Sequence, residues 1–475
     1  MTPGDEIELD AEALAYGGGD TTGHAPDGRV VFTPLLAPGD HAKVRITEVR
    51  ATFARAHPVE LVRPGPDRVR PPCEVFGVCG GCQWQHVSLG AQRDAKVRIL
   101  RHLLEPLGVA GAVAPLRGTG NGYHYRNRLI LPVRAGRNGL RAGFFRADSH
   151  DLVDVPTCLV QSPQLWDAAV TALGLAMQAG VTGYNERLDK GCLRHLLVRE
   201  TATGELGVVY VTGTPAFAAG EALARELMRR KPRIAGVAQN VNPGRTNVVL
   251  GPETRVLGGR GWLRERVGAL ELRASLPAFF QANHAVTEIM AGLVGEWTGG
   301  VTGGLLDLYT GVGVLGLTAA AGCRASWLAG IEESAAAVED ARVNAAALYA
   351  AATPVVSEPA VAAAEGVRAA AVPGVPSEWH AGGVEAILPG LAARLGAPGC
   401  VIADPPRKGL SPEALAAVIA LRSPLFVYIS CDPATFARDL KGLLAAGYRL
   451  ETAVPLDMFP QTWHIELAAR LTMNE

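Results

Sequence analysis

Between residues 305 and 332 the chain reads as strand, glycine turn, helix and strand, and this run narrows the choice of fold more than any other. Leu305-Leu-Asp-Leu-Tyr309 is a β-type run, Thr310-Gly311-Val-Gly313-Val-Leu-Gly316 a tight turn that opens a helix, and Trp327-Leu-Ala-Gly-Ile331 a second strand ending on Glu332. The glycines follow G-x-G-x-x-G, with an acid 21 residues after the first. A unit of this kind belongs to a parallel sheet covered by helices, with its ligand outside the carboxyl ends of the strands. The glycines let the backbone approach the ligand and the acid takes ribose hydroxyls. Dinucleotides and S-adenosylmethionine (SAM) both suit that layout. Cys400-Val-Ile-Ala403 is a further strand, running into Asp404-Pro-Pro-Arg-Lys-Gly409, where prolines stiffen the loop and fix the Asp at the strand tip.

Leu425-Phe-Val-Tyr-Ile429 reads as a buried strand and is followed by Ser430-Cys431-Asp432-Pro433, where a helical pattern begins. A cysteine between a strand end and a helix N-terminus has a raised thiolate fraction. The bland alternative is a small packed apolar residue, as most free cysteines are. Residues 451–459 and 465–471 form two closing strands joined by Pro460-Gln-Thr-Trp-His464.

With 475 residues the chain has room for two to four domains, at about 150 residues each. No uninterrupted apolar run reaches the roughly 18 residues of a membrane span. Met1-Thr-Pro-Gly-Asp-Glu-Ile7 lacks the basic start and apolar stretch of a signal peptide, so a cytoplasmic protein is expected. Its eight cysteines are then ligands, nucleophiles or packed thiols, not disulfides. The net charge of −1 hides an asymmetry: residues 41–146 hold 18 Lys and Arg against 6 Asp and Glu, a local +12, and the remainder carries −13. Such a basic segment points to a polyanionic partner, a solvated arginine-rich surface being the alternative.

Residues 6–63 read as short strands (Ile7–Leu9, Arg29–Phe32, His41–Ile46 and Pro58–Val62) broken by Gly17-Gly-Gly19, Asp27-Gly28 and Pro38-Gly39. They fit a small closed barrel of the type that binds single-stranded nucleic acid. Next comes Cys73-Glu-Val-Phe-Gly-Val-Cys79-Gly-Gly-Cys82, a C-x5-C-x2-C cluster of soft ligands suited to zinc or an iron–sulfur cluster, with Cys158 the first downstream candidate for a fourth ligand. Gln92–Leu107 is an amphipathic pattern with Val97, Leu100, Leu103 and Leu104 on one side and Arg93, Lys96 and Arg101 elsewhere. Gly122-Tyr-His-Tyr-Arg-Asn-Arg128 interleaves aromatics and arginines, as phosphate contact and base stacking require. Leu193–Arg199 is a basic strand whose His195 is expected to be structural, and the Ala/Val/Pro-rich residues 349–376 form an irregular insertion.

Taken together, these motifs resemble the RNA uracil-5-methyltransferase family, in particular its type acting on 23S rRNA. The resemblance spans nearly the whole chain. It rests on the barrel, which resembles a TRAM domain, on Cys73…Cys79-Gly-Gly-Cys82-Gln-Trp-Gln-His86, and on Phe279-Phe-Gln281-Ala-Asn283. It continues through Asp307-Leu-Tyr309-Thr-Gly-Val-Gly313, Asp404-Pro-Pro-Arg407, Ser430-Cys431-Asp432-Pro433 and Asp457-Met-Phe-Pro-Gln-Thr-Trp-His464-Ile-Glu466. The chain departs from the family pattern at Val314 and at Gly382-Gly383.

The resemblance implies an α/β protein with three domains. Residues 1–66 would be a TRAM-like barrel that binds RNA, 67–275 a central α+β domain with the four-cysteine site, and 276–475 a Rossmann-like SAM-dependent methyltransferase domain. It implies Cys431 as nucleophile and Glu466 as base, with Gln281, Tyr309, Glu332 and Asp404 lining the SAM site. Cys73, Cys79, Cys82 and Cys158 would hold a [4Fe-4S] cluster in preference to zinc. The expected substrate is a uridine of 23S rRNA, with the TΨC loop of tRNA as the alternative, and a monomer is expected. An RNA cytosine-5-methyltransferase would carry a second cysteine in the Asp404 loop, which this chain lacks. An NAD-dependent oxidoreductase leaves Cys431, Glu466 and the cysteine cluster without a role. A non-catalytic iron–sulfur RNA-binding protein would bind RNA regardless of Cys431.

Overall fold

The computed structural model describes residues 1–136, 139–185, 188–244, 248–350 and 375–473. The expected insertion at 349–376 lies almost entirely outside these residues. The chain forms two compact units. One comprises residues Met1–Tyr123, Phe144–Cys158 and Val454–Glu466; the other comprises His124–Gly143, Leu159–Ala453 and Leu467–Glu475.

The first unit begins with six strands: β1 (Glu6–Asp10), β2 (Ala13–Leu14), β3 (Thr21–His24), β4 (Val30–Thr33), β5 (His41–Val49) and β6 (Phe53–Arg63). They form one sheet in the order β1-β5-β6-β4-β3-β2, antiparallel except where β4 meets β6. Alternation decides which side is packed. On β5, Ala42, Val44 and Ile46 turn inward to meet Leu9, Val31 and Ala54. Helix α1 (Leu89–Leu104) follows, its first turn capped by Ser88, whose hydroxyl accepts the amide of Ala91 at 3.3 Å. Ala95 and Ile99 of α1 pack with Trp84, Val87 and Ile465 in a second core.

The chain then supplies β7 (Arg128–Gly136) and β8 (Gly139–Ala142) to the second unit, and the hairpin β9 (Phe144–Phe145) and β10 (Leu152–Val153) to the first. In the second unit α2 (Pro163–Gln178), β11 (Leu193–Glu200), β12 (Leu206–Thr212), α3 (Gly220–Arg230), β13 (Ile234–Val241) and β14 (Glu253–Gly259) complete a sheet ordered β14-β13-β12-β11-β7-β8. The hairpin β15 (Trp262–Val267) and β16 (Leu270–Ser275) leads to α4 (His284–Thr298), capped by Asn283.

From there the architecture is a Rossmann-like α/β fold. The elements are β17 (Thr302–Leu308), α5 (Val314–Gly322), β18 (Arg324–Glu332), α6 (Ala335–Ala350), β19 (Ser377–Ala381) and α7 (Val384–Leu395). After them come β20 (Cys400–Ala403), α8 (Pro412–Leu421), β21 (Leu425–Ser430), α9 (Pro433–Ala445), β22 (Tyr448–Leu456) and β23 (Glu466–Met473). The sheet order is β19-β18-β17-β20-β21-β23-β22, with β17 to β21 parallel and β23 antiparallel to β21. Every residue of β20 and β21 is buried, as befits central strands covered on both faces.

The expected helix at 92–107 starts earlier, at Leu89, because Ser88 caps it there; its last turn tightens into a 3-10 helix over Glu105–Leu107. One side chain departs from the amphipathic reading. Lys96, expected away from the apolar side, is fully buried, because an acid from far along the chain meets it there.

Candidate active site

The sheet register of the second unit brings four strand ends into line. Leu308 stands opposite Ile331 of β18 and Ala403 of β20, and Ala403 stands opposite Tyr428 of β21. Glu332, Tyr309, Asp404 and, two residues beyond Ile429, Cys431 therefore emerge at the carboxyl edge of neighbouring parallel strands, where such sheets hold ligands.

The turn after β17 is built for close approach. Gly311 and Gly313 have φ of 56° and 90°, and Tyr309 itself has φ of 61°, a conformation few side chains adopt without constraint. Asp307, buried at the end of β17, accepts a hydrogen bond from the Thr310 hydroxyl and one of 2.9 Å from the Gly316 amide. A Cβ on Gly316 would stand 2.6 Å from Asp307 Oδ2, so only glycine fits. Burial pushes Asp307 up to about 7, against the pull of the Thr310 and Gly316 hydrogen bonds. Glu332 Oε2 accepts the Gly311 amide at 3.1 Å and Oε1 the Ser334 amide at 2.9 Å, which fixes the acid beside the glycine turn. Burial also pushes the Tyr309 phenol up to about 12, with the charge of Glu385 adding to it.

Gln281 donates from Nε2 to Asp404 Oδ2 at 3.0 Å. Burial raises the Asp404 carboxyl well above the usual carboxylate range; the Gln281 bond opposes this and the Glu332 charge adds to it. The segment carrying Gln281 is held by two residues from stretches that the sequence marks for other reasons, the aromatic and arginine run at 122–128 and the basic strand at 193–199. Asn127 donates to the Gln281 carbonyl at 2.9 Å, and the buried Arg199 donates to the carbonyls of Ala274 and Ala278, each at 3.1 Å.

Cys431 sits half-buried between β21 and α9. Asp432 caps α9, its carboxylate accepting the amides of Ala434 at 3.1 Å and Thr435 at 2.9 Å, with Pro433 in the first turn. The Asp404 loop is tied to this helix: the Thr435 hydroxyl donates to the Arg407 carbonyl at 3.1 Å. Asp439, also buried, accepts the Leu410 amide at 2.9 Å and the Tyr428 hydroxyl at 2.7 Å. The sequence held a sign of Asp439, since it shares a helix face with Phe436, Leu440 and Leu443. In the β21–β23 pairing Ser430 stands opposite Leu467. Cys431 is the residue after Ser430, and the buried Glu466 is the residue before Leu467.

In the first unit Cys73, Cys79, Cys82 and Cys158 are half-buried and free of disulfides. Burial raises the Cys79 thiol and the charge of Cys73 adds to that shift; the Tyr123 phenol is likewise raised by burial, with Cys82 and Cys73 adding. Cys79 pairs with Arg146 at the hairpin, and a Cβ on Gly80 would stand 3.1 Å from the Ala147 backbone, so the C-x2-C turn passes close to that hairpin. Among the described residues no three His, Cys, Asp or Glu side chains converge tightly enough to hold a metal ion. An open groove of about 550 Å³ runs along the turn, lined by Gly80, Gly81, Phe144, Arg146 and His150 among others. His195, on β11, is held low, at about 4, by burial.

Comparison with known proteins follows the same lines. Residues 392–473 match the family model described as tRNA (Uracil-5-)-methyltransferase, and residues 1–59 match that of the TRAM domain. An uncharacterized RNA methyltransferase of Halalkalibacterium halodurans is 33% identical over 476 residues, covering 99% of this chain and 97% of that protein. One from Gloeobacter violaceus is 34% identical over 476 residues, with the same coverage of each. Among solved structures, the Pyrococcus abyssi tRNA (uracil-54, C5)-methyltransferase in complex with S-adenosyl-L-homocysteine superposes with a TM-score of 0.72. It is 25% identical, over 98% of this chain and 100% of that one. Among the described residues no helix is long and apolar enough to cross a membrane.

Proposed function

The chain belongs to the RNA uracil-5-methyltransferase family, and on that premise we propose that this SAM-dependent enzyme methylates a uridine of 23S rRNA through a covalent adduct with Cys431. The observation that carries the reading is the register. Cys431 and Glu466 each lie one residue beyond the Ser430–Leu467 rung, on the same side of it, and Cys431 emerges at the edge where Glu332, Tyr309 and Asp404 also emerge.

C5 of uracil is a weak nucleophile. Addition of the Cys431 thiolate to C6 breaks the C5–C6 π bond and moves its electron pair into an enolate through C5. SAM, when bound, supplies an electrophilic methyl group, which C5 takes. Glu466 then removes the C5 proton, the electron pair restores the C5–C6 double bond, and the thiolate leaves C6. Gln281 and Asp404, held to each other, would face the base and the methyl donor, Glu332 would take the ribose hydroxyls, and Tyr309 would border the same pocket. The target uridine must leave its stack to reach the thiol.

Cys73, Cys79, Cys82 and Cys158 suit an iron–sulfur cluster by donor chemistry, four soft ligands within one unit. They would hold a [4Fe-4S] cluster that fastens the C-x2-C turn to the 144–158 segment and takes no part in methyl transfer. Protein purified without oxygen should be brown with visible charge-transfer absorbance; one zinc and no iron by elemental analysis would refute this. The basic segment 41–146 and the TRAM sheet would hold RNA through phosphate contacts. We place the enzyme in the cytoplasm, as a monomer, with domains at 1–66, 67–275 and 276–475.

Labelled SAM offered to unmodified 23S rRNA and tRNA, followed by nucleoside analysis, tests the reading. 5-Methyluridine in 23S rRNA is the expected result. The similarity to an enzyme named for uracil-54 of tRNA favours a second reading, in which label appears in tRNA alone. Methyl transfer that survives Cys431→Ala would overturn the covalent mechanism.

A further inference from the structure

We propose that the buried face of helix α1 is a positioning device for the catalytic base, with Gln92, Arg93 and Lys96 setting the segment that delivers Glu466. The inference rests on the assignment of Glu466 as the base.

Residues 455–465 of the first unit are held at a series of points that ends one residue before Glu466. Arg117 exchanges backbone hydrogen bonds with the strand end, its amide donating to the Pro455 carbonyl and its carbonyl accepting the Asp457 amide, both at 2.9 Å. Lys96, with no exposed surface, donates from Nζ to Asp457 Oδ1 at 2.8 Å and to the Phe459 carbonyl at 2.9 Å. Arg93 donates from Nε to Asp457 Oδ2 at 2.9 Å. Gln92 accepts the Gln461 amide at 2.9 Å and donates to Gln461 Oε1 at 3.0 Å. The Gln461 carbonyl accepts the amides of Gln83 and Trp84, both at 3.0 Å. Trp463 meets Tyr16 edge-on at 5.3 Å, and Ile465 packs with Trp84, Ala95 and Ile99.

Two features separate this from ordinary packing. Gln461 has φ of 68°, a left-handed conformation that a side chain of its size keeps only where the surroundings over-determine it, and such residues gather at functional sites. The anchor at Asp457 is ionic. A buried ion pair is a weak stabiliser next to apolar side chains of the same volume, because both charges lose their water. Its contribution here is direction: the carboxylate is met on one oxygen by Lys96 and on the other by Arg93, which leaves the backbone around it one geometry. A general base must come within about 3 Å of the proton it removes. An error of about 1 Å there can slow the step about a hundredfold.

The test uses the full chain with its RNA substrate in single-turnover mixing, following formation and decay of the SDS-stable methylated adduct. Arg93→Gln leaves the Lys96–Asp457 bond in place, and Arg93 is partly exposed, so that variant is expected to fold. Lys96→Met paired with Asp457→Asn removes the buried ion pair together; Arg93 loses its carboxylate but is partly exposed and keeps its bond to the Thr119 carbonyl. In both, adduct formation and KM for RNA should stay within about twofold of wild type, while adduct decay and kcat fall about tenfold or more. Arg93→Lys should recover most of the loss. A lowered thermal midpoint with unchanged adduct decay, or equal slowing of formation and decay, would reduce α1 to a structural support. Should the paired variant fail to fold, Arg93→Gln decides. Glu466→Gln runs alongside. If it accumulates adduct while the α1 variants decay normally, only the positioning role falls. If it accumulates none, the base assignment falls, and the positioning role with it.

Discussion

Asp307 holds the turn after β17 from below, and its burial makes the turn sensitive to pH. Its carboxyl titrates near 3.8 in an unfolded chain and is pushed up to about 7 here. The folded state therefore keeps a proton that the unfolded state loses. The stability this contributes is full below about 3.8 and disappears as the pH rises through about 7. Asn cannot ionise, so Asp307→Asn should flatten that part of the profile. Denaturant titrations of both proteins at pH 5 and pH 8 check this: the advantage of wild type over the variant should shrink between the two. A constant gap would mean that Asp307 ionises normally in the fold. Gly316→Ala probes the same turn sterically. The added methyl would stand 2.6 Å from Asp307 Oδ2, an overpacking worth about 1–3 kcal/mol. A lower thermal midpoint and weaker SAM binding by calorimetry are expected, and unchanged binding would separate the turn from the ligand.

The elements divide by whether their signals are local. The glycine turn, β17, β18 and β21 were legible because apolar runs and glycine chemistry act within a few residues. Strands β2 and β3 were not: Ala13–Leu14 is two residues long, and Thr21-Thr-Gly-His24 carries no apolar alternation. Their strand character comes from pairing with each other and with β4. Lys96 was misjudged because a lysine on a helix reads as solvated unless its acid is known, and Asp457 lies 361 residues away. The candidate catalytic residues were legible through family motifs, whereas the roles of Asn127 and Arg199 become visible only with the fold, and that of Asp439 was signalled only by its place on the apolar face of α9. Asp439 links α9, β21 and the Asp404 loop, so Asp439→Asn should loosen that loop. Losing charge-assisted bonds of this kind costs about 1–3 kcal/mol. The expected result is faster amide exchange at Leu410 and a several-fold fall in kcat, with SAM affinity changed less than twofold.

At the scale of the molecule, the +12 carried by residues 41–146 predicts binding governed by phosphate neutralisation. Raising salt from about 50 to 200 mM should weaken RNA binding by at least about tenfold in filter-binding assays. A change below twofold would mean that bases, not phosphates, supply the affinity. The discontinuity of the first unit has a further consequence, in the order of synthesis. Lys96 leaves the ribosome 361 residues before Asp457. At about 5–20 residues per second, α1 waits roughly 20–70 s for the segment that neutralises it. During that interval the nascent helix carries an unmatched lysine on its packed face, and Ala95 and Ile99 pack with Trp84 and Val87 but still lack Ile465. The N-terminal sheet packs a core of its own between Leu9 and Ala56, but the first unit as a whole closes only when translation has passed through almost all of the second.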